Sequence, residues 1–231
     1  GQAQATTNAI IQDSLSKLDV DVFAVVSLEG LAGSKLEKAA LRLLPETRSV
    51  VVCAMEVYPE VLDHAKPGRT TGAAQLSDLL DRHNDFINGR VTKAVYDVAK
   101  ASHKSGLKAL PLPAAGCPLD TRFLDAVFSY KHAGQAAGLG YIGRSSLLIT
   151  PTFGPRVRLS CCLTEAVLEP VEEAATNACE GCDICIASCP AGALSTPQSE
   201  GPYAINKFAC SAFRNASGGC SECVRLCPAG R

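Results

Sequence analysis

The stretch CEGCDICIASCP, residues 179–190, places four cysteines in eleven positions and closes on Cys-Pro. Cys179, Cys182, Cys185 and Cys189 follow C-x2-C-x2-C-x3-C-P. In a loop this tight, three thiolates converge on three irons of one cubane, while the fourth points to a second cluster. Structural zinc is the alternative, but it takes two cysteine pairs separated by a long spacer, and this run is too dense for that. The second run follows: Cys210, Cys220, Cys223 and Cys227, again ending in Cys-Pro. In two-cluster ferredoxins the last cysteine of each run ligates the other cluster. That rule assigns Cys179, Cys182, Cys185 and Cys227 to one [4Fe–4S] cluster, and Cys189, Cys210, Cys220 and Cys223 to the other. The repeat CPAG at 189–192 and 227–230 fits a pseudo-symmetric pair.

Such clusters bound the setting. Twelve cysteines in 231 residues would suit a disulfide scaffold, but cluster assembly needs reduced thiols, so a cytoplasmic location is expected. No apolar run reaches 18 residues, and the first residues lack the basic and apolar regions of a signal peptide, so no membrane partner is expected. A net charge of −1 gives no general attraction to nucleic acid. Between residues 121 and 160, however, Arg122, Lys131, Arg144, Arg156 and Arg158 face only Asp125, so that stretch can meet an anionic group.

The remaining cysteines carry weaker signals. Cys53 lies in a β-branched strand and reads as a small apolar filler. Cys161 and Cys162 are adjacent on a strand and face opposite sides. Cys117 precedes Pro118 in a loop.

Hydrophobic patterning divides the chain into residues 1–168, an α+β or α/β domain, and residues 169–231, the cluster domain. DVFAVVSL (21–28), SVVVCAMEV (49–57) and LKALPLP (107–113) read as strands. SKLEKAALRLL (34–44) reads as a helix capped by Ser34, with Glu37 at the capping-box position. Residues 74–104 read as a helix bent near Asn88-Gly89, with Leu76, Leu80, His83, Ile87, Val91, Val95 and Val98 as its stripe. Residues 121–137 read as another helix, with Phe123, Val127 and Tyr130 on one face. SSLLIT and RVRLSCCLTE read as strands joined by a PTFGP turn. The acidic stretch 169–178 reads as the linker.

Between the last of these helices and SSLLIT lies GLGYIG, with Gly138, Gly140 and Gly143. It fits G-x-G-x-x-G only in letters. It leaves a helix and enters a strand, the reverse of what a pyrophosphate at a helix N-terminus requires. Glycines here either terminate the helix or allow a large planar ligand to approach the backbone.

AGLGYIGRSSLLIT (137–150), followed by the two cysteine runs, resembles the epoxyqueuosine reductases and, more distantly, the reductive dehalogenases and cobalamin-processing proteins. The resemblance spans roughly residues 107–230. It implies cobalamin in a nitroreductase-like α/β domain and a ferredoxin-like domain whose two clusters pass electrons to the cobalt. The corrinoid-contacting set expected with it is Lys131, Gly138, Gly140, Tyr141, Gly143, Arg144 and Ser145. A two-electron reduction needs a proton donor near the cobalt, for which Tyr130, Lys131, His132 and Tyr141 are the candidates, with Tyr130 and His132 taken as the catalytic pair; the acidic donor of the epoxyqueuosine reductases has no clean match among Asp120 and Asp125. The expected partners are the corrinoid itself and a low-potential electron donor such as ferredoxin or flavodoxin. Epoxyqueuosine reductases continue beyond the last cluster cysteine into a helical-repeat region that helps hold tRNA. These residues stop at Arg231, which argues against tRNA here. Two other readings stay open: a carrier or reductive activator serving another corrinoid enzyme, and a plain two-cluster electron-transfer protein.

Crossed ligation makes the first prediction. Cys227→Ala should abolish the cluster of Cys179, Cys182 and Cys185, although Cys227 lies beside the other run in sequence. Cluster-resolved EPR is the check, and a loss confined to the Cys220–Cys223 cluster contradicts the crossing.

Overall fold

A computed structural model describes residues 2–170, 179–198 and 201–231. In chain order it contains α1 (Gln2–Leu15), β1 (Val22–Ser27), α2 (Lys35–Leu43), β2 (Ser49–Glu56), α3 (Pro59–His64), β3 (Thr70–Thr71), β4 (Ala74–Gln75) and α4 (Asp78–Lys104). Then come β5 (Ala109–Leu112), β6 (Leu119–Asp120), β7 (Asp125–Ala126), α5 (Tyr130–Ala136), β8 (Tyr141–Ile142), β9 (Leu148–Ile149) and β10 (Val157–Thr164). The last part holds α6 (Ile184–Ala187), β11 (Leu194–Ser195), β12 (Ala204–Ile205), α7 (Lys207–Ala216) and α8 (Glu222–Arg225). The chain is thus mixed α/β. It forms two compact units, each made of three stretches: 1–55, 87–139 and 158–174 in the first; 56–86, 140–157 and 175–231 in the second.

The first unit is built on a four-stranded sheet of order β1-β2-β10-β5. β1 runs antiparallel to β2, with Val25 opposite Val51, and β10 runs antiparallel to β5, with Cys161 opposite Leu112. Val50 to Ala54 are all buried, as befits a strand covered on both faces. One face carries Val25, Val51, Cys53 and Cys162. Against these pack Ile11 and Leu15 of α1 and Val91, Val95 and Val98 of α4. Burying each of these aliphatic side chains contributes about 1.5–3 kcal/mol before entropy is counted. The buried hydroxyls are partnered: Ser160 donates to the Val91 carbonyl at 2.8 Å, and the Ser102 and Thr164 hydroxyls meet at 3.0 Å. An orphaned hydroxyl there would cost more than its bond contributes.

Local signals behaved unevenly. Ser34 caps α2 by accepting from the Glu37 N–H at 3.0 Å, and the Glu37 carboxylate reaches back to the Gly33 N–H at 2.7 Å. α4 begins later than the hydrophobic pattern suggests, because Ala74–Gln75 pairs with Thr70–Thr71 as a small hairpin. It runs unbroken through Asn88-Gly89, with Leu80, Ile87, Val91, Val95 and Val98 buried and Leu76 and His83 half-buried.

The helix expected over 121–137 is corrected. Only Tyr130–Ala136 is helical, and Leu119–Asp120 pairs with Asp125–Ala126. Asp120 accepts from both the backbone N–H and the guanidinium of Arg122, so its side chain competes with the helix for the backbone. Leu124 takes a positive φ of 53°, which closes the hairpin. Phe123 and Val127 are exposed and share no buried face with Tyr130. SSLLIT is likewise reduced to Leu148–Ile149, paired with Tyr141–Ile142. The acidic stretch 169–178 lies almost wholly outside the described residues.

The buried thiols yield a prediction. Burial pushes Cys53 up to about 12, and it raises Cys161 and Cys162 as well. A thiol pKa raised by folding stabilises the fold below its unfolded value of about 8.5, and that stability is lost as pH climbs toward the folded value. The melting temperature should therefore fall between about pH 9 and pH 12. Iodoacetamide at pH 8 should leave Cys53, Cys161 and Cys162 unmodified until the protein unfolds, as read by peptide mass spectrometry.

Candidate metal centre

In the second unit the two cysteine runs fold alike. Gly181, at φ +73°, turns the chain between Cys179 and Cys182. The four-residue helix α6 then carries Cys185, and Cys189 follows it. The hairpin β11–β12, with Leu194 opposite Ile205, leads into α7. Asn206 caps α7 by accepting from the Ala209 N–H at 3.0 Å, which sets the start of the helix that presents Cys210. Gly218 and Gly219, both at positive φ, turn the chain toward Cys220. Cys223 sits in α8, and Cys227 follows it as Cys189 follows α6.

Cys179, Cys182, Cys185 and Cys227 line one cavity, together with Ser145, Ile149, Ile184, Pro228 and Ala229. The cavity is partly open to solvent. Cys189, Cys210 and Cys220 are close enough to act on one another's thiols, and Cys223 feels all three. Cys223 also feels Cys185, so the two sets are neighbours. Among the described residues no three His, Cys, Asp or Glu side chains converge tightly enough to hold a single metal ion. Zinc would draw four sulfurs to about 2.3 Å from one point. Four thiols lining one cavity are a donor set of the kind that holds an iron–sulfur cluster.

As free thiols, Cys185, Cys210, Cys223 and Cys227 hold their protons more tightly than usual. Burial is the main cause in each case: it raises Cys185, Cys210 and Cys227, and it pushes Cys223 up to about 12, with Cys220 and Cys210 adding to the effect. Metal loading must release those protons.

The glycine turn is closely packed. Gly138, at φ +79°, ends α5, with the Leu139 N–H returning to the Gly134 carbonyl at 2.9 Å. A Cβ on Gly140 would lie 2.2 Å from the Ile149 carbonyl oxygen. One on Gly143 would lie 2.8 Å from the Ile149 side chain and 2.9 Å from Cys179 Sγ. A side chain at either position would collide with the chain itself, so the local packing requires glycine at both. Tyr141 donates its hydroxyl toward Cys179 Sγ at 3.9 Å, Arg144 pairs with Asp183 at the start of α6, and buried Ser145 lines the cavity. Four of the expected corrinoid contacts, Tyr141, Gly143, Arg144 and Ser145, therefore surround the first cysteine set.

Tyr130, Lys131, His132 and Gly138 belong to the first unit. Tyr130 donates to the Pro113 carbonyl at 2.6 Å, and its ring lies 6.4 Å from that of Phe128. Burial, reinforced by Cys117, raises its pKa, so it holds its proton more tightly than an exposed tyrosine. Lys131 is half-buried. His132 is exposed, with Nδ1 2.7 Å from the Ser129 hydroxyl.

Sequence reasoning missed the anchor of the last cysteine. The side chain of Arg156 is only 4% exposed. Its Nη2 donates to Glu56 Oε1 at 3.1 Å and to the Gly230 carbonyl at 2.8 Å, and its Nη1 donates to the Phe153 carbonyl at 2.9 Å. Beside it the backbone is interlocked: a Cβ on Gly154 would sit 2.0 Å from the Ala229 carbonyl oxygen, and one on Gly230 would sit 2.2 Å from the Gly154 nitrogen. The segment after Cys227 is thereby fixed to residues 153–156. The available signals were PTFGPR and CPAGR, each with a glycine near an arginine.

No protein-family model matches the chain. It is similar to an epoxyqueuosine reductase of Synechococcus, 34% identical over 79 residues that cover 34% of this chain and 23% of that protein. An epoxyqueuosine reductase of Bacillus cereus is 29% identical over 156 residues, covering 66% and 37%. The tetrachloroethene reductive dehalogenase of Sulfurospirillum multivorans is 41% identical over 69 residues, covering 29% and 13%. The matches thus span from about an eighth to somewhat over a third of these relatives' own length. Among solved structures, a catabolic reductive dehalogenase superposes with a TM-score of 0.68 at 18% identity, over 96% of this chain and 31% of that one. An epoxyqueuosine reductase bound to a tRNA stem loop superposes at 0.56 and 18% identity, over 98% and 66%. The fold is therefore shared with both kinds of reductase. Among the described residues no helix is long and apolar enough to cross a membrane.

The Arg156 anchor gives the prediction here. Removing one partner of a buried ion pair typically costs about 3–5 kcal/mol. Arg156→Met should release the Cys227 segment and lower bound iron to about half, if one of two clusters is lost. Gly154→Ala should do the same for steric reasons. Iron analysis after anaerobic reconstitution reads both.

Proposed function

We propose that this chain is the electron-handling part of an iron–sulfur reductase of the epoxyqueuosine reductase and reductive dehalogenase type. It holds one [4Fe–4S] cluster on Cys179, Cys182, Cys185 and Cys227, and another on Cys189, Cys210, Cys220 and Cys223. In this reading, residues 1–168 form a nitroreductase-like corrinoid domain, residues 169–231 are ferredoxin-like, and the protein works in the cytoplasm. The reaction class is reductive cleavage of a carbon–heteroatom bond, the class to which the names of both relatives belong. The observation that carries the proposal is the gathering of Cys227 with the first run's three cysteines around one cavity.

The donor set fits such a cluster: four sulfurs around a lined space rather than around a point. Bound there, a cluster stores and passes one electron at a time. The chain supplies the rest. Gly143 lets the backbone lie against Cys179 without a side chain between them. Ile149 and Ser145 close the cavity wall. The hydroxyl of Tyr141 donates toward Cys179 Sγ, and hydrogen bonds to cluster sulfur are one of the means by which a protein sets potential. Arg144 steadies the start of α6 through Asp183.

The corrinoid rests on the relatives, one of which is described in terms of B12-dependent dehalogenation. A corrinoid would carry the bond-breaking chemistry at its cobalt. Lys131, Gly138, Gly140, Tyr141, Gly143, Arg144 and Ser145 are the proposed corrinoid contacts. Tyr130 and His132 are the proposed proton sources. His132 is exposed and can be resupplied from solvent, whereas Tyr130 gives up its proton only to a strong base.

The test is chemical. Anaerobically reconstituted protein should contain about eight irons and about eight acid-labile sulfides per chain. On reduction with hydroxocobalamin present, it should give a reduced corrinoid spectrum that saturates at one equivalent. Zinc without labile sulfide refutes the proposal. Clusters without any corrinoid response reduce it to electron transfer alone.

A further inference from the structure

The two cysteine runs share a backbone, and the residue before each closing cysteine shows where their chemistry parts. Cys185 and Cys189 are separated by Ile-Ala-Ser, and Cys223 and Cys227 by Val-Arg-Leu. Ser188 and Leu226 therefore hold equivalent places. Ser188 has φ −91° and ψ −3°, Leu226 has φ −93° and ψ −7°, and each closes a four-residue helix. Leu226 fills its place with a half-buried apolar side chain. Ser188 brings a hydroxyl instead, and that oxygen is sealed from solvent with no hydrogen-bond partner among the described residues.

Other helical serines in this chain satisfy themselves by donating back to a carbonyl three or four residues earlier. Ser14 does so to Ile11 at 2.6 Å, Ser102 to Val98 at 3.1 Å and Ser217 to Phe213 at 2.7 Å. The Ile184 carbonyl stands in the same relation to Ser188. It accepts the Ser188 backbone N–H at 2.9 Å but not the hydroxyl. A buried hydroxyl left unpaired costs more than its bond contributes, so its partner is to be sought in what the cysteines hold.

The surroundings narrow the choice. Ser188 does not line the cavity of Cys179, Cys182, Cys185 and Cys227, and that set already has a side-chain donor in Tyr141. Ser188 adjoins Cys189, whose Sγ accepts the Ala193 N–H at 3.3 Å. A hydroxyl beside Cys189 gives the second set a side-chain donor of its own.

We propose that Ser188 tunes the second cluster: its hydroxyl donates to a sulfur of the [4Fe–4S] cluster held by Cys189, Cys210, Cys220 and Cys223. The proposal rests on the cluster reading given above. Reduction adds one electron and therefore negative charge to the cluster, and a hydrogen bond to a more negative acceptor is stronger. Ser188 thus favours the reduced form and raises the potential. The hydroxyl keeps its proton in both states, so the electron moves alone.

The test uses the reconstituted full chain in an anaerobic dithionite titration followed by EPR, with Cys227→Ala assigning the second cluster's signal. Ser188→Ala should lower the second cluster's midpoint by about 59 mV, a tenfold change in a one-electron equilibrium constant. The first cluster's midpoint and the iron content should stay at wild-type values. Ser188→Thr, which keeps the hydroxyl, should stay close to wild type. After exchange into deuterium oxide, pulsed EPR of the reduced second cluster should show a deuteron coupling in wild type and Ser188→Thr that Ser188→Ala lacks. Unchanged midpoints with an unchanged deuteron coupling in Ser188→Ala overturn the proposal. So does a shift confined to the first cluster, or a loss of iron in Ser188→Ala, which would place the hydroxyl in the fold rather than on the cluster. A wild-type chain that takes up no iron and no labile sulfide refutes the cluster reading itself, and metal analysis shows this before any titration.

Discussion

The fold of the second unit depends on one long-range closure: Cys227, near the end of the described chain, lines the same cavity as Cys179, Cys182 and Cys185. Short helices such as α6 and α8, of four residues each, have no stability of their own. They persist because the turns around them present sulfurs to shared spaces and because the segment after Cys227 is clamped. Arg156 supplies that clamp with hydrogen bonds to Gly230, Phe153 and Glu56. A buried guanidinium is expensive to desolvate, and it is tolerated here because Glu56 and two carbonyls surround it.

The first unit is held differently. Its sheet is sealed by aliphatic side chains, and its buried cysteines behave as small hydrophobes whose thiols stay protonated. The same residue type thus does opposite work in the two units. In one, burial of sulfur is an end in itself. In the other, half-buried sulfurs line a cavity that is partly open to solvent.

Much of this was legible in the chain. The strands around Val25 and Val51 and the stripe of α4 followed from periodicity, because burial enforces it. Ser34 and Glu37 announced the start of α2 through a local hydrogen bond that the sequence alone specifies. The spacing led one to expect Cys227 beside Cys179, Cys182 and Cys185, and these four line one cavity. What failed were the places where a local side chain outbid the pattern. Asp120 captured Arg122 and turned an apparent helix into a hairpin. Gly140 and Gly143 were readable as glycines that needed room, but not as to what would occupy it. That depended on Ile149 and Cys179, and a sequence does not say which backbone will arrive there. Arg156 looked like a cation awaiting an anionic ligand, yet its counter-charge is Glu56, one hundred residues earlier.

The contact between Gly154 and Gly230 bears on how such a module could be moved between proteins. The Ala229 carbonyl occupies the spot where a Gly154 side chain would be, and the backbone of Phe153 and Gly154 occupies that of a Gly230 side chain, so neither glycine can be enlarged. Anyone grafting the two cysteine runs onto a new scaffold as a cassette would leave half of this lock behind. The smallest portable piece must carry residues 150–156 and Glu56 along with the runs, or the last cysteine is left without the contacts that hold its segment.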